Sequence, residues 1–520
     1  MDKNLSTIGV RTKCIISLFL FGALFLSGCP SESGKESSKT STRPALVSQA
    51  ELKTLEDKAL AEIEKYRQMK CPRPVLRGTA IAGSGNADMI AVIEGNSETA
   101  DCRKLLEQKS EQLFEALNFE EKTAVAGRPL RGWREARPLD DPKASTDKIL
   151  FLEGACSQAI NLVRRAVKYE EACSPYLPGR RGEPALIIHI RTMRILAATA
   201  RRYLMEGRTR EGVELLLDGL RFGQDMSRGG SSLLEAMVSA AAGKVLYQVL
   251  ELAFNQPKPI GEKYLETVSK ELTQLIKTDV HPGTILRGEM WTMILYSVMP
   301  AVKGKDWVPP GGWGTEGRGP IAGEEQDNLP GKIFGANAKD DMAVAWLATL
   351  ETGHEQLKAC PIDKLPIECH NNLLELAKKM DVAADDHLDR INRIWNVAKA
   401  EDKIEEIRRQ VIEILKGIAA PAYNKYIAKM GQARFLLAAL KLQVEYRHLA
   451  EKTKSCPDAK AFDKEPLKSL RNDPYSGKPI LIETPSAGSF VLRSPSLLDN
   501  EQTIDKQPAI LVECPFRKIK

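Results

Sequence analysis

The sequence predicts a mainly α-helical protein that ends in a small module containing a β-hairpin. Between residues 48 and 455, apolar residues recur every three or four positions over several long segments, which is the spacing of an amphipathic helix. Glycine-containing turns separate some of these segments and predict antiparallel helical hairpins. After Cys456, short apolar runs bounded by turn residues are typical of strands. We therefore expect an irregular array of helical hairpins followed by an α+β module.

The first predicted helix begins near Ser48, where Glu51 three residues later completes a capping box. Its apolar stripe ends at Cys71-Pro72-Arg73-Pro74, because proline lacks the amide hydrogen that a helix interior needs. For the same reason, Pro421 predicts a break between two long helices. The other predicted helices cover approximately residues 97–119, 147–169, 184–206, 209–227, 232–252, 383–419 and 421–452.

The central hairpins have the most regular pattern. Gly207 and the Arg228-Gly229-Gly230 segment separate three consecutive apolar-periodic segments. Tyr203 together with the Gly207-Arg208 turn resembles a tetratricopeptide unit, over about one repeat. No period of about 34 residues follows it, so the sequence favours an irregular helical array over a solenoid.

The predicted C-terminal module has strand candidates at residues 480–482, 490–493 and 509–512. The segment before the first strand reads Asp-Pro-Tyr-Ser-Gly-Lys-Pro-Ile over residues 473–480. It resembles the Asp-Pro-Phe-Ser-Gly-Lys-Pro-Leu motif of many uncharacterised bacterial envelope proteins, and more distantly the Asp-Pro-Trp-Gly turn of type II secretion pseudopilins. The resemblance covers roughly residues 430–495, implies a hairpin after a long helix, and carries no known catalytic residue.

The N-terminus has the features of a secretory signal. Lys3, Arg11 and Lys13 precede an apolar run from Cys14 to Leu26, which is too short to span a bilayer comfortably. The run ends in Leu26-Ser27-Gly28-Cys29, which resembles the lipobox of bacterial lipoproteins at all four positions. The resemblance implies cleavage before Cys29 and attachment of acyl chains such as palmitate to that residue, which would anchor the chain in a membrane.

The segment after Cys29 is predicted to be a flexible tether, and its first residue bears on the localisation of the protein. Residues 30–47 are rich in Ser, Thr, Lys and Glu and have too little apolar surface to fold. In lipoproteins of well-studied Gram-negative bacteria, Asp after the lipidated cysteine favours retention in the inner membrane. Here that position is Pro30, so the resemblance favours the outer membrane of the cell envelope, with the periplasmic or surface face left open.

The cysteine content predicts disulfide bonds. Ten cysteines become eight once Cys14 leaves with the signal and Cys29 is acylated, and an even number in an oxidising envelope favours disulfides. Eight cysteines allow 105 pairings, and we expect the four that are local in sequence. These are Cys71 with Cys102, Cys156 with Cys173, Cys360 with Cys369, and Cys456 with Cys514.

A long stretch rich in glycine and proline, residues 303–340, contains Trp307 and Trp313. Such loops are often functional, and tryptophan is costly to leave in water. One interpretation is a contact surface for a glycan, a lipid headgroup or a partner protein. The other is that both rings fold back onto the helical body.

Catalytic and metal-binding patterns are scarce in the sequence. The histidines form no HExxH pair, and no GxSxG elbow or phosphate loop occurs. Gly83-Ser84-Gly85 lacks the third glycine and an evident strand-to-helix frame, so we do not predict nucleotide binding. His189 lies in an apolar run and is expected to be a satisfied helix residue. Two segments have an alternative interpretation as metal sites. One is His387, which is flanked by Asp385, Asp386 and Asp389, and the other is a calcium loop formed by Asp499, Glu501 and Asp505.

The formal charge of +6 is spread over 520 residues, and no stretch interleaves basic and aromatic residues. We therefore expect no nucleic-acid partner, and also no cofactor and no bound metal. The predicted role is non-catalytic scaffolding or protein recognition at the envelope, with a membrane reached through the lipid anchor and an envelope protein as partner. The alternatives are an enzyme acting on cell-wall or lipid material and a carrier of an apolar ligand.

These expectations divide the chain into six parts. They are a signal peptide at 1–28, the lipidated cysteine and tether at 29–47, a helical-hairpin domain at 48–302, the Gly/Pro-rich loop at 303–340, a long-helix region at 341–455 and the β-containing module at 456–520.

Overall fold

The computed structural model describes residues 49–107, 142–175, 186–229, 233–293, 353–379, 404–486, 488–496 and 509–516. Over these ranges the chain is mainly helical, with a two-stranded parallel sheet near the start and a three-stranded antiparallel sheet at the end. The predicted mainly α fold with a small C-terminal β module is confirmed.

The helices and strands are numbered here in chain order. The helices are α1 Gln49–Gln68, α2 Asn86–Ile93, α3 Ala100–Glu107, α4 Pro142–Ala155, α5 Ser157–Ala166, α6 Leu186–Met205, α7 Thr209–Met226, α8 Leu233–Phe254, α9 Glu262–Lys277, α10 Pro282–Met293, α11 Pro366–Lys379 and α12 Ile404–Thr453. The strands are β1 Ile81–Ser84, β2 Tyr169–Glu171, β3 Leu481–Ser486, β4 Ser489–Arg493 and β5 Ala509–Glu513.

The hairpins α6–α7 and α7–α8 form the centre of the molecule, as predicted from the two glycine breaks. Gly207 closes the first turn in the left-handed region, with φ +80°. The helices lie close together at Gly219, where a Cβ atom would be 2.8 Å from Leu246 Cδ1. Helix α8 packs against α6, α7 and α12, and α12 also covers α9 and α11. Residues from Leu76 to Cys514 thereby share one apolar core.

Helix α12 continues through Pro421, so the predicted break there is wrong. Proline costs a helix interior about 3 kcal/mol, because a hydrogen bond is lost and the ring crowds the preceding turn. The half of α12 after Pro421 packs along α8, α9 and α11, and this tertiary packing outweighs the local cost. A second boundary was also misplaced, since the predicted helix over residues 147–169 is interrupted at Cys156.

Four disulfides join all eight cysteines expected to pair. Cys360–Cys369 and Cys456–Cys514 are confirmed. The other two predicted pairings are wrong, because the bonds are nested as Cys71–Cys173 and Cys102–Cys156.

An antiparallel bridge explains why Cys71 pairs with Cys173. Strand β2 pairs with β1 in parallel, and Glu171 of β2 is also bridged to Pro72 in the antiparallel sense. This bridge places Cys71 beside Cys173, with the Ala172 amide donating to Cys71 O at 3.2 Å. The bond therefore joins segments that are distant in sequence, and Cys102 and Cys156 lie within the loop that it closes.

The C-terminal sheet has the order β3-β4-β5, with all neighbours antiparallel. Its inner face packs an aromatic cluster, in which the Phe462 ring stacks on Tyr446 and meets the edge of Phe490 at centroid distances of 5.3 and 5.2 Å. On the free side of β5, polar side chains from α8 and α12 bond to the strand backbone. The sheet is thus fixed to the helical body at one edge.

Candidate functional site

A small cleft lies between α7, α8, α12 and the connection from α9 to α10. Its volume is about 60 Å³. That space admits a few water molecules, whereas pockets for drug-sized ligands have about 300–1,000 Å³. The lining is mostly apolar, with Met193, Leu220, Val280, Met430 and Leu437 among its residues.

The polar side chains of the cleft are Gln224, Ser227, Ser239, Tyr247 and Asp279. Gln224 Oε1 and Ser239 Oγ are buried and have no hydrogen-bond partner. The Asp279 carboxylate lies 2.7 Å from Arg434 Nε, so its charge is already paired. Burial raises the pKa of the Tyr247 phenol, and the charge of Asp279 adds to this effect. The arrangement therefore suits water or a very small polar molecule, and it places no charged base next to Ser239.

A buried ionic network lies on another face of α7. Arg77, from the segment before β1, bonds to both Asp218 on α7 and Glu271 on α9. Burial raises the pKa of Asp218 to about 6 and that of Glu271 to about 7. Because all three side chains are engaged with one another, this network fastens the N-terminal segment onto α7 and α9.

His189 lies in the apolar core and not in a candidate functional site. It lies on α6, is 1% exposed, and meets the Phe222 ring edge-on at a centroid distance of 5.8 Å. The expectation that its ring would be satisfied is wrong, because neither ring nitrogen has a hydrogen-bond partner. Burial lowers the pKa of His189 to about 4, which keeps the imidazole neutral.

The Gly83-Ser84-Gly85 segment does lie in a strand-to-helix frame, contrary to expectation, because β1 leads directly into α2. The frame is nevertheless filled by protein. The Gly85 amide donates to Glu171 O at 3.0 Å, and a Cβ atom on Gly85 would lie 2.6 Å from Ala166 O. In the first turn of α2, Asp88 takes two hydrogen bonds from Arg165, at 2.6 Å each.

The Asp473–Ile480 segment serves the architecture of the module. The Asp473 carboxylate is fully buried and accepts hydrogen bonds from the Tyr475 amide at 2.9 Å and from the Ser476 and Ser494 hydroxyls at 2.8 Å each. The Tyr475 ring lies directly against Gly431 of α12, where no Cβ would fit. These contacts hold the turn against the long helix α12.

Several predicted site residues lie outside the described residues. They are Cys29, Trp307, Trp313, His387 and its acidic neighbours, and the acidic group at 499–505. Over the part of the chain that the structure describes, no group of three or more His, Cys, Asp or Glu side chains is arranged to hold a metal ion.

One helix among the described residues, α8, is long and apolar enough to cross a membrane. Its packing against α6, α7 and α12 accounts for its apolar composition.

Sequence reasoning did not find the cleft or the buried arginines. The only sequence signal is the place of Arg221 between Leu220 and Phe222 of α7, where a buried charge is unusual. Comparison with known proteins found no matching family model, no matching curated protein and no matching solved structure.

Proposed function

We propose that this protein is an envelope lipoprotein, anchored through Cys29, that acts as a non-catalytic scaffold or protein-recognition module. The observation that carries the proposal is that all eight cysteines after Cys29 pair with one another. Disulfides form and persist in oxidising compartments such as the periplasm and the cell surface, and are rare in the cytosol. This pairing supports export through the N-terminal signal.

The pairing also bears on the role of Cys29. With the other eight cysteines occupied, cleavage before Cys29 would leave it as the single cysteine of the mature chain without an internal partner. A lone thiol in an exported protein calls for a modification or an intermolecular bond. Acylation, which the lipobox resemblance implies, meets that requirement.

The scaffolding role is supported by how tightly the helices are linked. Disulfides bond α3 to the α4–α5 junction and the end of α12 to β5. The buried Arg77 network and the Asp473 turn add cross-links between distant segments. A rigid helical array of this kind can present loops at fixed positions to a partner. The alternative of carrying a lipid chain finds no support in the described cleft, since about 60 Å³ is far too small for an acyl chain.

The first experiment is the intact mass of the protein extracted from membranes, with and without reductant. We expect an N-terminus at Cys29 carrying acyl mass, and eight thiols that react with an alkylating agent only after reduction. Cys29→Ser should abolish the acyl mass and release the protein from the membrane fraction. Cys14→Ser is the matched control, because that cysteine belongs to the predicted signal and should leave processing unchanged.

An unprocessed chain with free thiols in the cytosol would overturn the proposal. The partner is sought separately, by photo-crosslinking of the mature protein in whole envelopes. A reproducible crosslinked protein is expected for a recognition module. Turnover of peptidoglycan or phospholipid by the purified mature domain would instead favour the enzymatic alternative.

A further inference from the structure

The C-terminal end of α7 holds an unusual concentration of positive charge. Three arginines, Arg73, Arg221 and Arg228, gather around one carboxylate, Asp225; we call these four residues the arginine cluster. Arg73 Nη2 lies 2.8 Å from Asp225 Oδ2, and Arg228 Nε lies 3.4 Å from Asp225 Oδ1. Arg221 is fully buried and donates a single hydrogen bond, from Nη1 to Thr278 Oγ1 at 2.7 Å.

Several buried donors of the cluster have no acceptor. Arg228 Nε and Asp225 Oδ1 face each other at 3.4 Å without a hydrogen bond. The other buried guanidinium nitrogens without a hydrogen-bond partner are Arg73 Nε, Arg221 Nε, Arg221 Nη2 and Arg228 Nη2. Buried polar groups in native proteins are nearly always paired. Arginine is also the side chain best suited to planar recognition of carboxylates and phosphates. A group of unused donors of this kind indicates a missing acceptor.

Arg447 is the other fully buried arginine among the described residues, and all of its donor groups have acceptors. Its Nε donates to Glu451 Oε1 at 2.8 Å. Its two terminal nitrogens donate to the carbonyl oxygens of Phe254, Gln256 and Lys258. Arg447 and Arg221 are equally enclosed, at 1% and 0% exposure, so burial alone does not explain the unused donors.

The charges of the cluster are unbalanced as well. One carboxylate faces three guanidinium groups, and Asp279, the other acid whose charge acts on Arg221, is already paired with Arg434. Burial lowers the pKa of Arg221 to about 10, because the Asp225 charge does not compensate for the lost hydration. A buried cation without full compensation is costly, and a second anion would relieve that cost.

We propose that the arginine cluster is a binding site for a small oxyanion of the phosphate or sulfate class. Arg73 is held in place by its bonds to the Ala166, Val167 and Tyr169 carbonyls. Arg228, in contrast, has a side chain that is 12% exposed. Movement of Arg228 is the route by which an anion reaches Arg221. Because the cluster is enclosed, the ligand is a free ion and not a lipid headgroup.

The test is binding of inorganic phosphate to the mature protein at constant ionic strength, with chloride as the balancing ion. Equilibrium dialysis should show one saturable site per chain, and the melting temperature should rise with phosphate along the same curve. Arg221→Met is expected to weaken binding at least about tenfold, since the central guanidinium is lost. It should not destabilise the phosphate-free protein, because it removes an unsatisfied buried charge.

Arg447→Met is the matched control, since it removes an equally buried guanidinium at the other end of α8. It should lower the melting temperature and leave phosphate affinity unchanged. If Arg221→Met cannot be purified, Arg228→Gln provides the same test at the partly exposed member. The proposal fails if phosphate does not bind at fixed ionic strength, or if both arginine variants bind it equally. Stabilisation by phosphatidylglycerol vesicles without stabilisation by phosphate would also overturn it.

Discussion

Asp473 holds the turn between α12 and the C-terminal sheet with three side-chain hydrogen bonds. Its own backbone amide donates to Lys478 O at 2.9 Å, and the Gly477 amide returns a bond to Asp473 O at 2.7 Å. Each donor that meets the carboxylate is buried. The turn therefore depends on an acceptor at this position more than on its glycine and proline content.

Asp473→Asn is expected to reduce the free energy of unfolding by about 2 kcal/mol, because an amide offers fewer acceptor sites and leaves a buried donor unsatisfied. Urea denaturation of the mature domain measures the loss. Asp463→Asn is the control, since Asp463 pairs with Arg471 at an exposed position where ion pairs contribute less than about 1 kcal/mol. Equal losses in the two variants would contradict this account.

Glu251 on α8 is a buried carboxyl group that fixes β5 to the helical body. Its Oε1 accepts from the Leu511 amide at 2.8 Å. Asn255 and Gln443 donate to the Leu511 carbonyl at 2.8 and 3.0 Å. Burial raises the pKa of Glu251 to about 8; the Leu511 bond opposes this rise and the nearby Glu513 adds to it.

This raised pKa predicts that stability falls as the pH rises from about 4.5 to 8. Over that range Glu251 is ionised in the unfolded chain and protonated in the folded protein, so raising the pH favours unfolding. Glu271 and Asp218 act in the same direction over narrower ranges. Glu251→Gln should flatten the dependence when the free energy of unfolding is measured by urea at several pH values.

Glu451 on α12 is expected to show the opposite pH dependence, which the Glu451→Gln variant would remove. Burial tends to raise the Glu451 pKa, but bonds from the Ile260 and Gly261 amides and from Arg447 outweigh burial, and the pKa is lowered. The ionised Glu451 carboxylate therefore stabilises the folded protein at neutral pH, and this stabilisation is lost as the pH falls through the folded pKa of Glu451.

A Glu251→Gln protein with the same pH profile as the wild type would refute the raised pKa assigned to Glu251.

Among the helices, α7 contains two glycines with different surroundings one turn apart. A Cβ atom at Gly219 would lie 2.8 Å from Leu246 Cδ1, whereas a Cβ atom at Gly223 would meet only Ser239 O at 3.9 Å. Both positions are helical, so alanine improves the intrinsic propensity equally. The difference between them therefore reports how closely Leu246 of α8 and Leu196 of α6 pack against α7.

Gly219→Ala is expected to destabilise the protein by about 1–3 kcal/mol, because the core is overpacked. Gly223→Ala should be neutral or stabilising by up to about 1 kcal/mol. Thermal unfolding followed by circular dichroism compares the two. A stabilising effect of alanine at both positions would show that α7 and α8 can separate at little cost.

The helices were predictable to the extent that local patterns control them. The hairpins from α6 to α8 follow their glycine breaks, because Gly207 adopts a conformation that few other residues tolerate. Pro421 misled the prediction because tertiary packing overrides local preference. Strands β1 and β2 were missed because they have four and three residues, too few for an alternating pattern to be recognised.

For the whole molecule, the four disulfides close loops of very different size. Cys71–Cys173 spans 102 residues and Cys360–Cys369 spans nine. The nested Cys102–Cys156 bond shortens the loop closed by Cys71–Cys173 to about half. In the chain-entropy description, this loop still restricts the unfolded state more than the nine-residue loop, by about 1.5 kcal/mol. Cys71–Cys173 is therefore expected to stabilise the protein more than Cys360–Cys369.

Replacing both cysteines of the Cys71–Cys173 pair by serine should lower the free energy of unfolding by about 1.5 kcal/mol more than the same change at Cys360–Cys369. Urea denaturation of the two double variants, both kept oxidised at the remaining pairs, makes the comparison. A larger loss from the short loop would show that local packing, and not chain entropy, dominates.

The candidate sites depend on whole-molecule geometry that no local pattern contains. Arg73 reaches Asp225 because the bridge between Pro72 and Glu171 aligns its segment with β2. Ser239 and Gln224 face one cleft only because α7 and α8 are antiparallel neighbours. These residue types are common in any sequence. What sets these side chains apart is that some of their buried polar atoms have no hydrogen-bond partner in the folded protein, and the sequence alone does not show this.

The nested order of Cys71–Cys173 and Cys102–Cys156 constrains how the chain can mature. When a chain is oxidised from its N-terminus as it emerges, the first two cysteines to meet are Cys71 and Cys102, which are not native partners. Such a bond must be broken by attack of another thiolate before the native pairs form. The later bonds, Cys360–Cys369 and Cys456–Cys514, join consecutive cysteines and avoid this detour. Along this route, the N-terminal half needs thiol–disulfide exchange after its first oxidation, whereas the C-terminal half needs only an oxidant.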